Sequence, residues 1–400
     1  MYDNHCRKRQ TLHRMQKIYL DYAATTPVDA RVLKAMLPYF SNKFGNSMSL
    51  HSLGVDASEA LEKSRKTIAD VISGDPQEII FTSSATESNN LALKGVAFAN
   101  KREKKHIIVS TIEHDCVLES SKWLERQGFE ITRLSVDQNG FVDLHELKKS
   151  IREDTVLVSI IHASNEIGTI QDIRAIGEIC HKKGVYFHTD ASQSFGKEKI
   201  DVRSMNIDFL TASSHKMYGP KGAGILFVKK GVRIEPILHG GGHENGMRSS
   251  TSNVPAIVGM AKAAQILSHE GEKENQRLRH LRDTLIHDIL VKIKGTKLNG
   301  DPTKRLANNV NVSIFGIEGE SMVLELDYHG IAVSTGSACS SRTLEPSHVL
   351  LAIGLSHERA HGSLRISLGR FTKEDDIKKT IIILAKVVKK LRSISPVPYE

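Results

Sequence analysis

The chain has 400 residues, 40% of them hydrophobic and 25% charged, which is typical of one large or two smaller globular domains. Its formal net charge is +9, but the basic residues are scattered or lie at helix ends. We therefore expect an acidic protein partner rather than direct binding to nucleic acid. No apolar run reaches the ~18 residues of a membrane helix, so no membrane association is expected.

The four cysteines include no CxxC pair, so neither a disulfide framework nor a resident metal site is predicted. A reducing compartment, the cytoplasm, fits this cysteine usage. The first 14 residues are basic and lack the apolar stretch of a secretory signal. We interpret them as an extension upstream of a natural start at Met15.

Between residues 65 and 230, short β-rich runs alternate with helical patterns. Strands are predicted at residues 78–82, 106–110, 156–161, 185–188 and 209–211. Helices are predicted at residues 88–100, 118–127 and 173–183, the last of them ended by Gly184. This alternation predicts a mainly parallel sheet, whose ligands collect beyond the carboxyl ends of the strands.

The last third of the sequence predicts a smaller α+β domain. A long helix over residues 255–292 follows a glycine-rich loop, and then come a strand at 309–314 and helices near 319–329 and 373–392. No Pro/Ser-rich linker is present, so the junction is predicted to be a continuous helix. The predicted division is a large domain at 29–275 and a small domain formed by 1–28 and 276–400.

Lys216 is the most informative residue, because it lies between a predicted strand and the Gly219-Pro220 turn. A lysine that loses solvation deprotonates more readily, and its amine can hold an aldehyde cofactor as a Schiff base. Asp190 ends another predicted strand, where a carboxylate is most often a turn or cap residue. Facing a pyridine nitrogen, it would keep that nitrogen protonated, and the pair would then indicate pyridoxal phosphate (PLP).

Other polar residues follow further predicted strands. Residues 83–88 begin a predicted helix. Their hydroxyl and backbone N–H groups could bind a phosphate, or a Ser or Thr side chain could simply cap the first turn of the helix. His114 is either structural or a proton carrier lying over a cofactor ring, and Asn165 could bond a ring hydroxyl. Each signal is weak alone, and their shared position after successive strands is what makes them persuasive.

Cys339 lies among tiny polar residues, 334–341, which suit an exposed mobile loop in which a thiol can reach a substrate. Cys116 and Cys180 are interpreted as small buried residues. Arg365 is a candidate fork for a substrate carboxylate, and its alternative is a surface ion pair.

Taken together, these segments resemble the cysteine desulfurases of the NifS/IscS type, within the fold-type I PLP enzymes. The resemblance covers residues 18–396. It rests on the opening motif at 19–27, on Phe44-Gly45-Asn46, and on residues 110–116, 162–168, 188–197 and 215–222 in that order. It implies an α/β fold, with a large domain built on a mainly parallel seven-stranded sheet and a smaller α+β domain.

The resemblance also implies roles for individual residues. Lys216 would carry the Schiff base, Asp190 would pair with the pyridine nitrogen, and His114 would stack on the ring. Gln193 and Asn165 would contact the ring oxygen, and Arg365 would hold the substrate carboxylate together with Asn165. The remaining cofactor contacts would come from the helix start and the phosphate side, namely Ala85, Thr86, Ser213, His215 and, from the neighbouring subunit of a homodimer, Thr251.

By the same resemblance, L-cysteine would be converted to L-alanine while Cys339 takes the sulfur as a persulfide. Residues 340–350 resemble the mobile-loop group, whose cysteine carries sulfur to a partner. The implied acceptors are an iron–sulfur scaffold protein, with which Cys339 would transiently share a cluster, and the machinery of tRNA thiolation. The alternatives are a selenocysteine lyase or another fold-type I enzyme, and a non-catalytic interaction protein.

The sequence departs from the family at several positions. Ser84, Ser214 and Ser250 stand where glycine is common, and a serine forced to positive φ would cost on the order of 1 kcal/mol. Because two of them flank the phosphate site, weaker binding of PLP is the expected consequence. The sequence also stops at Glu400, whereas relatives often continue with a tail that docks the scaffold protein.

Overall fold

The computed structural model describes residues 17–335 and 345–395. The strands in this part of the chain are β1 (Ile18–Tyr19), β2 (Ile79–Thr82), β3 (His106–Ser110), β4 (Glu130–Leu134), β5 (Thr155–Ser159), β6 (Tyr186–Asp190), β7 (Phe209–Ser213), β8 (Gly224–Val228), β9 (Thr296–Leu298), β10 (Asn309–Ile314), β11 (Ile331–Ala332) and β12 (Ser363–Ser367). They form one large and two small sheets.

The large sheet has seven strands in the order β2-β8-β7-β6-β5-β3-β4. Six strands run in one direction, and β8 is antiparallel to both of its neighbours. The predicted mainly parallel sheet is therefore confirmed. Sequence reasoning missed two of its strands, β8 and the edge strand β4. In β4, arginine and glutamate interrupt the apolar pattern, because this edge is partly exposed.

The helices cover both faces of this sheet and extend beyond it. They are Ala30–Met36, Pro38–Ser41, Ser52–Val71, Ala85–Asn100, Asp115–Arg126, Leu144–Ser150, Ile173–Lys183, Val254–Lys292, Gly319–Tyr328, His348–Ala352, His357–His361 and Glu374–Ile394. Gly184 ends its helix with a φ of 65°, as the sequence predicts, because glycine adopts this left-handed conformation without steric cost. Within the described ranges, no helix is both long and apolar enough to cross a membrane.

Each face of the large sheet packs on its own apolar cluster. Ile68, Phe187 and Met260 belong to the cluster on one face, and Leu91 and Phe209 to the cluster on the other. Strands of a sheet that is covered on both faces are mostly apolar, because the side chains on both faces are buried. This explains why β3 and β5 are almost continuously apolar and fully buried.

The C-terminal part forms a second layered unit. Strands β12, β10 and β9 make an antiparallel sheet, and β1 pairs with β11 in parallel. The 39-residue helix Val254–Lys292 contributes Leu267 to the first core and Leu278 to the core of this unit. The junction predicted as a continuous helix is thus observed, while the predicted domain limits stay a prediction.

The direction of the strands determines where polar side chains gather. The carboxyl ends of β2, β3, β5, β6 and β7 lie at the same edge of the large sheet, because these strands are parallel. The loops that follow them carry the residues singled out in the sequence. Residues 21–24 are brought to the same edge through their contacts with β12 and with Lys216.

Candidate active site

A cavity of about 280 Å³ lies at this edge of the sheet. The predicted site residues that line it are Ala85, Thr86, His114, Asn165, Asp190, Gln193, Ser213, His215, Lys216 and Arg365. Thr251 lines a separate hollow of its own chain together with Arg248 and Ser250. Cys339 lies outside the described residues.

Lys216 occupies the end of a short 3-10 turn, Ser214–Lys216, directly after β7. The side chain is half-buried, and its Nζ donates to the backbone oxygens of Ala23, at 2.6 Å, and Ala24, at 2.8 Å. These two carbonyl groups hold the amine at the cavity wall. The lysine is therefore oriented by a segment nearly 200 residues earlier in the chain.

Asp190 is the last residue of β6 and is buried. Its Oδ1 accepts the N–H of Ser192 at 2.8 Å, and its Oδ2 accepts from Asn89 Nδ2 at 2.6 Å. Gln193, one turn further on, donates from Nε2 to Ala23 O at 2.9 Å. The carboxylate thus has a fixed orientation in the cavity wall, which the sequence alone could not show.

The helix Ala85–Asn100 begins at the cavity. Ser84 is its N-cap, and its hydroxyl accepts the N–H of Glu87 at 3.2 Å. Ala85 and Thr86 are the first two helical residues, whose N–H groups have no acceptor inside the helix. The helix start therefore offers N–H donors and the positive end of a dipole, the arrangement that suits a phosphate group.

The serines at usual glycine positions carry no left-handed strain. Ser84 has a φ of −170°, which is extended backbone, and neither Ser214 nor Ser250 is among the residues with positive φ. The expected cost to cofactor binding therefore has no basis in the backbone. At Ser84 the serine supplies a side-chain acceptor that glycine lacks.

The side of the cavity where a phosphate is predicted carries a neutral histidine. Desolvation lowers the pKa of His215 to about 4, and the positive charges of Lys216 and Lys221 add to this effect. Its Nδ1 lies 3.2 Å from Thr25 Oγ1. At neutral pH this ring can donate a hydrogen bond but supplies no positive charge.

Arg365 projects from β12 and is almost fully buried. Its Nη2 pairs with Asp21 Oδ1 at 3.0 Å, and its Nη1 donates to Asn165 O at 3.2 Å. Its Nε is buried without a hydrogen-bond partner among the described residues. A surface ion pair, the alternative considered from the sequence, is wrong, because this guanidinium lines the cavity.

Two carboxyl groups in the cavity wall were not anticipated. Glu113 Oε1 accepts from Ser110 Oγ at 2.5 Å and from the N–H of Ile161 at 2.7 Å. Glu166 bonds to Ser347 Oγ. Desolvation raises the pKa of Glu113 to about 8 and that of Glu166 to about 7. Both follow strands in the sequence, which is the signal that could have identified them.

The two described cysteines differ in their surroundings. Cys180 is buried in the apolar core, as predicted. Cys116 was expected to be buried in the same way, but it lines the cavity, with its Sγ 3.1 Å from His114 Nδ1. His114 is the N-cap of the helix Asp115–Arg126, and its Nδ1 accepts the N–H of Cys116 at 3.2 Å.

Comparison with known proteins identifies the family of this chain. The class-V aminotransferase family model matches residues 18–380. Cysteine desulfurase IscS 1 of Archaeoglobus fulgidus is 53% identical over 378 residues, which are 94% of this chain and 98% of the relative. Cysteine desulfurase IscS of Methanosarcina thermophila is 52% identical over 379 residues, which cover 95% and 94% of the two chains.

A solved structure of a NifS-like protein has the same fold. It superposes with a TM-score of 0.89 at 38% identity and covers 94% of this chain and 100% of the other. The match runs through both layered units, because it spans nearly the whole described chain. This chain belongs to the class-V aminotransferase family and, within it, to the cysteine desulfurases.

Proposed function

We propose that this protein removes sulfur from L-cysteine with the help of PLP, releases L-alanine and holds the sulfur on Cys339. The observation that carries the proposal is a single cavity lined by Lys216, Asp190, His114 and Arg365. The substrate class follows from the family, whose members named above are cysteine desulfurases.

The residues present fit the cofactor. An amine for its aldehyde is provided by Lys216, a carboxylate for its pyridine nitrogen by Asp190, and phosphate donors by the start of helix Ala85–Asn100 with Ser213 and His215. Ser192 Oγ is buried in the cavity wall without a partner among the described residues, so a polar ligand is needed here. When bound, PLP withdraws electrons from the α-carbon of an amino acid.

The protein's own groups would bind the substrate and move its protons. Arg365 would hold the substrate carboxylate, since its Nε is buried and unpaired in the described structure and a carboxylate accepts two parallel N–H bonds. Lys216 Nζ is the amine that would take the α-proton. His114 would exchange a proton with the substrate through a ring nitrogen.

Cys339 is the proposed sulfur acceptor, and the neighbouring structure favours this role. On one side, the backbone N–H and C=O groups of Ser334 and Arg365 bond to each other. On the other side, Ser347 bonds to Glu166, and His348 Nε2 lies 3.0 Å from Glu113 O. Both flanks of residues 336–344 are thus anchored beside the cavity.

A homodimer is the proposed assembly. The segment from the first helix to residue 50 exposes large apolar side chains, including Phe40 (60% exposed), Phe44 (63%) and Leu50 (98%). An apolar surface of this kind favours burial against another protein. In that dimer Thr251, which does not line the cavity of its own chain, would reach the phosphate of the neighbouring subunit.

The proposed acceptors of the sulfur are an iron–sulfur scaffold protein and the machinery of tRNA thiolation. The net charge of +9 favours acidic proteins as partners. The reducing cytoplasm is the proposed compartment, because a thiol and a persulfide persist there.

The test is to measure L-alanine and sulfide released from L-cysteine in the presence of PLP and a thiol reductant. Equal amounts of the two products are expected from the wild type, and Cys339→Ala should release neither. Cys180→Ala is the matched control, because it removes a thiol that lies in the core away from the cavity. Product formation that survives Cys339→Ala would disprove the assigned sulfur acceptor.

A further inference from the structure

A chain of hydrogen bonds joins Asp190 to His114 along the cavity wall. Asn89 Nδ2 lies 2.6 Å from Asp190 Oδ2 and 3.0 Å from Cys116 Sγ. Cys116 Sγ in turn lies 3.1 Å from His114 Nδ1. Two residues without an assigned role, Asn89 and Cys116, therefore connect two residues of the proposed site.

The direction of each bond follows from what the groups can donate. The Asn89 amide nitrogen carries two protons and no acceptor, so it donates one to the Asp190 carboxylate and one to the sulfur. His114 Nδ1 already accepts the N–H of Cys116, so it carries no proton. The remaining contact, between sulfur and Nδ1, needs a donor, and the only proton available is that of the thiol.

The orientation of Asn89 carries a cost. Its side chain is fully buried, and its Oδ1 has no hydrogen-bond partner in the described structure. Rotating the amide by 180° would place this oxygen against the Asp190 carboxylate, where two acceptors would repel each other. An unsatisfied buried acceptor is unfavourable, so the two bonds that the amide nitrogen donates must offset this cost.

We propose that Cys116 is a positioning residue whose protonated thiol donates to His114 Nδ1 and orients this ring so that Nε2 is its N–H donor. Asn89 donates one N–H bond to the Cys116 sulfur and holds it in place. Its second N–H bond, to Asp190, fixes the orientation of the Asn89 amide. The catalytic consequence rests on the proposed function, whereas the protonation pattern does not.

The surroundings of the sulfur favour the thiol over the thiolate. Burial raises the pKa of Cys116 to about 12, and the negative charge of Asp190 adds to this effect. Hydrogen bonds from Asn89 and Thr86 act in the opposite direction but are weaker. At neutral pH the thiol therefore keeps the proton that the bond to His114 requires.

This arrangement gives His114 a defined role. The N–H and the S–H of Cys116 share the one lone pair of Nδ1, so only Nε2 can donate. His114 would then meet the substrate as a proton donor through Nε2. Cys116 itself stays a thiol and does not compete with Cys339 for sulfur.

The first test is the ¹⁵N spectrum of histidine-labelled holoenzyme, in which protonated and unprotonated ring nitrogens resonate far apart. The His114 signals are identified by their loss in His114→Gln. We expect an unprotonated Nδ1 and a protonated Nε2. A proton on Nδ1 in the wild type would overturn the proposal, and this result needs neither catalysis nor a Cys116 variant.

The second test compares variants of residue 116. The S–H stretching band that is lost in Cys116→Ala should lie at lower frequency in the wild type than in His114→Phe, where its acceptor is removed. Cys116→Ala should reduce kcat by roughly two- to tenfold, the worth of one hydrogen bond, and Cys116→Ser, which keeps a donor, should restore most of it.

Cys180→Ala is the control, since it lies in the core and should leave the His114 signals unchanged. An S–H band whose frequency does not change when His114 is replaced would count against Cys116 as the donor. So would a kcat of Cys116→Ser as low as that of Cys116→Ala. If the spectra agree but L-cysteine gives no product, the proposed function fails and the positioning role stands.

Discussion

Glu113 illustrates how a single residue acquires its properties from the fold. Its carboxyl group is completely buried between β3 and β5, and one oxygen accepts from Ser110 and Ile161. The other oxygen, Oε2, has no partner among the described residues. Desolvation dominates these bonds and raises the pKa to about 8, so the group is mainly protonated at neutral pH.

The first prediction concerns pH and stability. The pKa of Glu113 rises from 4.5 in the unfolded chain to about 8 in the folded protein, so between these values only the folded state holds the proton. Raising the pH through this range should therefore reduce the free energy of unfolding, on the order of 1 kcal/mol per pH unit. The Gln side chain of Glu113→Gln cannot lose a proton in this range, so the free energy of unfolding of this variant should depend less on pH.

Urea unfolding of both proteins at several pH values measures this difference. Glu119→Gln is the control, because Glu119 is exposed on the following helix, and its curve should run parallel to that of the wild type. Parallel curves for the wild type and Glu113→Gln would contradict the argument.

At the scale of elements, the helix Ala85–Asn100 connects the sheet to the cavity. It starts directly after β2, and its first turn is held by the Ser84 cap and by Glu87, which pairs with Arg248 at 2.7 Å. A helix start that binds an anion must present its N–H groups in a fixed geometry. The cap and the ion pair supply that rigidity from two separate parts of the chain.

The second prediction follows from this cap. Ser84→Gly should change the dissociation constant of PLP by less than about threefold, because φ at this position is extended and glycine is a tolerable cap. Ser84→Ala removes the acceptor for the Glu87 N–H and should destabilise the protein by about 1 kcal/mol. Absorbance titration with PLP and thermal unfolding measure the two effects. A markedly lower dissociation constant of PLP in Ser84→Gly would contradict the prediction and show that the serine weakens cofactor binding.

Strands and helices with clear apolar patterns were predictable from the sequence. The edge of the large sheet at which the cavity lies was predictable as well. β3, β5 and the helix Ile173–Lys183 follow from apolar runs and from Gly184, and parallel strands necessarily bring their following loops together. The strand β8 was missed because it follows the Lys216 turn without a helix between, so the alternating pattern breaks there.

The cavity wall was only partly predictable, for a different reason. The partners of Asn89 are Cys116 on the next helix and Asp190 at the end of β6, and the pairing of Asp21 with Arg365 joins positions 344 residues apart. Local sequence carries no information on such contacts. The burial that shifts the pKa of Glu113 and Glu166 is likewise a property of the packed structure.

At the scale of the whole molecule, two layered units share one helix. The helix Val254–Lys292 packs into the cores of both, and β1 joins the start of the described chain to β11. A group of exposed apolar side chains, including Phe40, Phe44 and Leu50, lies on the segment before the helix Ser52–Val71 and does not line the cavity. The proposed dimer would cover this surface.

The third prediction tests that surface. The double change Phe40→Asp, Phe44→Asp should weaken self-association by on the order of tenfold or more, because buried charges without partners are costly. Leu324→Asp is the control, since Leu324 is also highly exposed but lies on the helix Gly319–Tyr328. Sedimentation velocity over a range of concentrations measures the effect. A variant that sediments as the wild type would place the dimer contact elsewhere.

The contacts of Lys216 and Arg365 have a consequence for how the enzyme is made. The lysine is held by carbonyl groups 192 and 193 residues earlier in the chain, and the arginine by a carboxylate 344 residues earlier. The ribosome must therefore complete β12 before Asp21 can pair with Arg365. Nascent chains shorter than this lack Arg365 and therefore the proposed site for the substrate carboxylate. Under the proposed function, the complete cavity forms only late in translation, and shorter products should be inactive.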